Sequence, residues 1–131
     1  MASIKALVLR GSLLVGVVLV PVVAFAALQL SPIMRIWHTN EKSTEAMLSG
    51  QKPYDEGQIR SAIQIYIGDA NRVAGRIKGN SSAAQDLRAR FLSFASDASS
   101  AFKDSPSQTV LEASFARMTS DCSACHAVYK N

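Results

Sequence analysis

The chain has 131 residues, of which 48% are hydrophobic, and its formal net charge is +4. Two of its basic residues, Lys5 and Arg10, lie in the first ten positions, so the rest of the chain has twelve basic residues against ten acidic ones. No cluster of basic residues with interleaved aromatic residues appears, and this composition argues against a nucleic-acid partner. About a hundred residues follow position 30, enough for one small domain.

The first thirty residues carry a targeting pattern. Residues 11–30 contain no charged residue, Pro21 interrupts them, and residues 24–26 are Ala-Phe-Ala. In one interpretation, residues 1–26 are a signal peptide that is cleaved after this Ala-x-Ala sequence. In the other, they belong to an uncleaved membrane anchor that extends to about residue 30, because twenty uncharged residues can span a bilayer. In a bacterium, both interpretations place residues 31–131 in the periplasm, either soluble or anchored to the inner membrane.

Four heptad-like series of residues follow and predict four amphipathic helices in an all-α fold. Ser31 and Pro32 are expected to begin the first helix, and Asp55 is expected to cap the second. Short connections rich in turn residues predict an antiparallel up-down-up-down four-helix bundle. The first series has a polar centre. The four series are Leu30, Met34, Trp37, Glu41, Thr44 and Leu48; Ile59, Ile63, Tyr66, Ala70, Val73 and Ile77; Ala84, Leu87, Phe91, Phe94, Ala98 and Ala101; and Leu111, Phe115, Met118, Cys122, Cys125 and Tyr129.

The last series contains the sequence Cys-Ser-Ala-Cys-His at residues 122–126, which is the attachment pattern for haem c. On a helix, Cys122, Cys125 and His126 share one side, so both thiols can bond to the porphyrin while the imidazole binds its iron. A structural zinc site would need four ligands, and His38 is the only other histidine. A thioredoxin-like pair needs a βαβ context, and a simple disulfide leaves the histidine without a role. The pattern predicts one haem c, bound covalently through Cys122 and Cys125, with His126 as an iron ligand.

Met34 is the candidate for the second iron ligand. In an up-down-up-down bundle, the end of the fourth helix lies at the same end as the start of the first, so Met34 is expected to face the iron opposite His126. A methionine–histidine pair raises the reduction potential, whereas the alternative is that Met34 only fills the core. Arg35 is a candidate partner for the haem propionates. His38 is expected to be a partly exposed neighbour of Trp37, with iron ligation as the alternative.

These motifs resemble those of the class II cytochromes c, the cytochrome c′ family. Besides residues 122–126, the sequence Ser-Gly-Gln-Lys-Pro-Tyr-Asp at residues 49–55 is similar to the family's loop between its first two helices. Met34 falls on the family's distal position, and Tyr129 and Lys130 resemble its C-terminal motif, in which Lys130 replaces the usual arginine. The resemblance covers about residues 31–131 and implies a four-helix bundle with one haem c, often as a homodimer.

The resemblance implies two kinds of function. Low-spin members ligate the iron with a methionine of the first helix and carry electrons, whereas cytochromes c′ proper have five-coordinate high-spin iron and bind nitric oxide or carbon monoxide. For this chain, we expect electron transfer with redox partner proteins through a haem ligated by His126 and Met34, with gas binding as the alternative. A retained anchor would make the chain a cytochrome subunit of a respiratory or photosynthetic membrane complex. No nucleophile–base pair stands out near the motif, so an enzyme is not expected.

Overall fold

The computed structural model describes residues 30–102 and 107–129. Of these residues 86% are helical and none forms a strand, which confirms the predicted all-α class. Four α-helices joined by short turns are compatible with the predicted four-helix bundle. The helices are α1 (Leu30–Leu48), α2 (Glu56–Arg76), α3 (Ser82–Ser99) and α4 (Gln108–Tyr129), and a short 3-10 helix (Ser100–Phe102) follows α3.

Side-chain caps begin α2 and α3. Asp55 has its predicted role, because its carboxylate accepts a hydrogen bond from the backbone N–H of Gln58 at 2.9 Å. Ser81 acts in the same way for α3, where its hydroxyl accepts from the backbone N–H of Ala84 at 3.2 Å. Each cap satisfies a backbone N–H group that has no partner within the helix.

The start of α1 differs from the prediction. The helix already includes Leu30, so Ser31 and Pro32 lie within its first described turn, and the expectation that Ser31 caps it is wrong. Pro32 is tolerated near a helix start because the first N–H groups there have no intrahelical acceptor. After the end of α1, Gly50 has a φ of 77°, a left-handed conformation that glycine adopts without steric cost.

The apolar series predicted for α2 and α3 form the centre of the core. All six residues of the α2 series are buried, and the α3 series is buried except for Ala84, which is half-buried. Leu111 and Met118 bring α4 into the same core, and Trp37 and Met47 bring α1 into it. The spacing of apolar residues therefore predicted the inner face of each helix correctly.

Trp37 joins α1 to α2 and α3. Its side chain is stacked on Phe94 with ring centroids 4.7 Å apart, and only 7% of Trp37 is exposed. Its indole N–H donates a hydrogen bond to the Asp69 carboxylate at 3.1 Å, and the Tyr66 hydroxyl donates to the Trp37 carbonyl at 3.0 Å. Offset aromatic packing and satisfied polar atoms together stabilise this contact.

Two contacts between α3 and α4 define the relative direction of these helices. Arg117 lies 3.8 Å from Asp97 near the end of α3, whereas the Tyr129 hydroxyl donates to Asp86 near the start of α3 at 2.6 Å. The two helices are therefore antiparallel, and the last turns of α4 lie beside the first turns of α3. Trp37, near the start of α1, contacts the second half of α2, which is also the pattern of an antiparallel pair.

Candidate haem-attachment site

The Cys-x-x-Cys-His motif lies in the last two turns of α4. Cys122 and Cys125 are both free thiols, half-buried, and packed against the hydrophobic core. Their spacing places them about 60° apart around the helix axis, on the side that faces the rest of the molecule. His126 is exposed next to them. The structure therefore places two thiols on the inner side of one helix with an accessible imidazole at the edge of that side.

The environment of Cys122 favours its protonated form. Burial raises the pKa of this thiol to about 11, and the negative charges of Glu41 and Asp121 act in the same direction. A thiol with such a pKa is protonated at neutral pH, unlike the low-pKa nucleophile of a thiol–disulfide oxidoreductase. This argues against a redox-active dithiol at residues 122–125.

Arg90 and Asp86 of α3 hold the end of α4. The Arg90 guanidinium donates to the Asp86 carboxylate at 2.8 Å and to the carbonyl of Ala124, within the motif, at 3.3 Å. It also lies over the Tyr129 ring, 5.9 Å from the ring centroid. The hydrogen bonds from Arg90 and then Tyr129 hold the pKa of Asp86 below its usual range. We call Asp86, Arg90 and Tyr129 the α3–α4 clamp.

Sequence reasoning missed the α3 half of this clamp. Asp86 and Arg90 are four positions apart in α3, a spacing that also occurs in ordinary ion pairs on helix surfaces. Their spacing was therefore a signal for a pair, but it carried no information about α4. Tyr129 was predicted as the last residue of the α4 series and as part of the C-terminal motif that resembles the family's, but neither prediction gave its partners; its hydroxyl also donates to the Ala83 carbonyl at 3.3 Å.

The start of α1 and the motif lie against the same turn of α3. In α1, Trp37 contacts the ring of Phe91, with ring centroids 6.3 Å apart. Arg90, which directly precedes Phe91 in α3, donates a hydrogen bond to the carbonyl of Ala124 in the motif. Met34 lies about one turn before Trp37 in α1 and is half-buried against the core. Arg35 is exposed. Both predicted residues of α1 are thus in the half of the helix that is nearer to the motif.

His38 is turned towards Glu41. Its side chain is 62% exposed, and its Nδ1 atom lies 3.3 Å from the Glu41 carboxylate. This placement agrees with the expectation of a partly exposed neighbour of Trp37. Residues 1–29, on which the targeting prediction depends, lie outside the described residues. So does Lys130 of the predicted C-terminal motif.

The side chains near the motif suit a haem better than a bare metal ion. No group of three His, Cys, Asp or Glu side chains that could hold a metal ion occurs in residues 30–102 and 107–129. A haem iron needs only one or two protein ligands, because the porphyrin supplies the others. Two adjacent thiols against apolar side chains, with an imidazole next to them, fit covalent haem. In the same part of the chain, two buried side-chain oxygens make no hydrogen bond, and one of them, Asp121 Oδ2, directly precedes the motif.

Neither a protein-family model, nor a curated protein, nor a solved structure matches this chain. The resemblance to class II cytochromes c therefore stays a prediction from the motifs of the sequence. Within the described ranges, no helix has the length and apolar character needed to cross a membrane.

Proposed function

We propose that this chain is a periplasmic electron carrier with one haem c, held in an up-down-up-down four-helix bundle. Cys122 and Cys125 would bind the haem covalently, and His126 and Met34 would ligate its iron. The observation that carries the proposal is the Cys-x-x-Cys-His sequence in the last helix, with both cysteines on its inner side. Haem attachment gives a role to both cysteines and to the histidine, which no other use of this motif does here.

When bound, the haem supplies the one-electron couple of its iron. Cys122 and Cys125 hold the ring to α4, and the α3–α4 clamp holds the end of α4 against α3. This support holds the backbone of α4 at His126 in place relative to α3. The packed aromatic rings around Trp37 give the site a rigid wall, because close-packed side chains have few alternative arrangements.

Two features of α1 favour Met34 over His38 as the second ligand. Met34 is half-buried on the inner side of α1, and its unbranched thioether side chain can adapt to a neighbouring group. His38 is exposed and close to Glu41. Arg35 is exposed in the same turn as Met34, where a guanidinium could pair with a haem propionate while staying in contact with solvent.

The second candidate function is gas binding by five-coordinate iron. The observation that favours it is the apolar character of the start of α1, where Leu30, Ile33 and Met34 are all half-buried against the core. Such a surface would exclude water from an open iron position and admit nitric oxide or carbon monoxide. The partners of the electron carrier would be redox proteins, which include an integral membrane complex if the N-terminal segment is retained.

Absorption spectra of the purified ferrous protein, with and without carbon monoxide, test both functions. Electron transfer through His126 and Met34 predicts sharp α and β bands that carbon monoxide does not change. Met34→Ala is expected to convert this spectrum to a high-spin form that binds carbon monoxide, and Met34→Leu is expected to do the same while keeping the apolar bulk.

A broad wild-type spectrum that shifts with carbon monoxide and is insensitive to both Met34 variants would refute methionine ligation and support gas binding. Absence of covalently bound haem from the denatured protein would refute both functions.

A further inference from the structure

One segment of the chain carries an excess of positive charge. Residues 72–90, which include the end of α2 and the first half of α3, contain five basic residues and one acidic residue. Outside its first ten positions the whole chain has twelve basic and ten acidic residues, so the remainder has seven basic residues against nine acidic ones. The positive charge is therefore concentrated in one part of the bundle.

Three of these five basic residues have no carboxylate partner. Arg72 lies 2.6 Å from the Asp69 carboxylate, and Arg90 is paired with Asp86 in the α3–α4 clamp. The other three make no ion pair within residues 30–102 and 107–129. We call these three residues the basic patch: Arg76, Lys78 and Arg88.

The basic patch surrounds the turn that joins α2 to α3. Arg88 donates a hydrogen bond to the Ile77 carbonyl at 2.8 Å, and Lys78 donates to the Gly75 carbonyl at 3.1 Å. These bonds need a donor but no charge. Arg76 and Lys78 are exposed. The positive charges of the patch are therefore presented to solvent and are not used within the fold.

The basic patch lies at the end of the bundle that carries the motif. The Tyr129 hydroxyl at the end of α4 donates to the Ala83 carbonyl in the first turn of α3, directly after the turn that holds the patch. Arg90, which is two residues after Arg88, donates to the Ala124 carbonyl within the motif at 3.3 Å. A protein that contacts the patch would therefore lie at the end of the bundle where the haem is proposed to bind.

We propose that the basic patch docks the acidic surface of a redox partner protein. This inference rests on the proposed electron transfer, because an electron carrier must bring its partner close to the haem. Opposite charges speed the encounter of two proteins and orient it. The remainder of the domain has a small acidic excess and repels an acidic partner, so the separation of charge favours docking at the motif end.

The first experiment measures how fast the ferrous full-length protein reduces hexacyanoferrate(III), an anion that accepts one electron from the haem iron. At low salt, the double variant Arg76→Gln, Lys78→Gln should react at least about threefold more slowly than the wild type. It should react faster with the cation tris(phenanthroline)cobalt(III). Both differences should shrink at high salt, because salt screens exposed charges.

A matched control removes the same charge elsewhere. Lys42, in the half of α1 farther from the motif, and Lys52, in the loop after α1, are both exposed. The double variant Lys42→Gln, Lys52→Gln should react with both reagents at rates close to those of the wild type. Equal rates in the two double variants, with haem bound, would overturn the inference and leave the proposed function intact.

A second measurement does not depend on the iron. A fluorescently labelled oligoglutamate peptide should bind the full-length protein at low salt, and its anisotropy should show several-fold weaker binding to the Arg76→Gln, Lys78→Gln variant than to the control variant. Equal binding to both variants would overturn the inference. If the patch variant instead binds phosphatidylglycerol vesicles less well and the peptide unchanged, the patch contacts a membrane, which also overturns the inference. Absence of haem from the native protein would overturn the proposed function, whereas the peptide result would still decide whether the patch binds an acidic partner.

Discussion

Replacement of Trp37 by phenylalanine should destabilise the fold and also loosen the proposed haem site. Trp37→Phe removes the hydrogen bond to Asp69, which is worth about 1 kcal/mol. The smaller ring buries less apolar area, a loss of about 1 kcal/mol, and weaker stacking on Phe94 adds about 0.5 kcal/mol. We expect a decrease of about 2–3 kcal/mol in the free energy of unfolding. Met34 lies one turn before Trp37, so the proposed ligation of the iron by Met34 should weaken as well.

Urea denaturation followed by circular dichroism measures the stability change, and the carbon monoxide difference spectrum measures access to the iron. Ile36→Ala is the control, because Ile36 is adjacent in sequence and 52% exposed. It should change the free energy of unfolding by less than about 0.5 kcal/mol and leave the spectrum unaltered. A loss below about 1 kcal/mol in Trp37→Phe, or equal effects of the two variants, would refute the role assigned to Trp37.

Two further predictions concern the helix cap and the attachment site. Asp55→Asn keeps a hydrogen-bond acceptor at the start of α2 but removes its charge. Hydrogen bonds from Gln58 lower the pKa of Asp55, so the charged cap stabilises the fold at neutral pH. This contribution is lost as the pH falls through the folded-state pKa of Asp55. The urea midpoint of the wild type should exceed that of Asp55→Asn at neutral pH and approach it in acid, and a difference independent of pH would contradict this argument. A variant with Cys122→Ala and Cys125→Ala should lose haem staining on a denaturing gel, whereas Ser123→Ala, on the exposed side of α4, should retain it. Staining that survives the double substitution would contradict covalent attachment at these positions.

Local sequence patterns were sufficient for the helices and for the composition of the candidate site. The apolar series of α2 predicted its buried face because the helical period alone decides which side chains share a side. Asp55 was predictable as a cap because capping depends on a residue and the N–H groups two or three positions later. The motif at residues 122–126 likewise depends on spacing within a single helix.

Contacts between helices were not predictable in this way. Trp37 was only one member of the first series, but packing placed its ring on Phe94 and its N–H at Asp69. Packing also brought Arg90 to the carbonyl of Ala124. Neither pair has a fixed separation along the chain, so no spacing rule identifies it.

The helices, their inner faces and the Cys-x-x-Cys-His motif follow from the sequence alone, because they depend on residues within a few positions of one another. The support of the motif arises only in the folded chain. The clamp between α3 and α4 depends on the relative positions of separate helices. Those positions follow from the packing of whole side chains in a shared core, which depends on all of the helices at once.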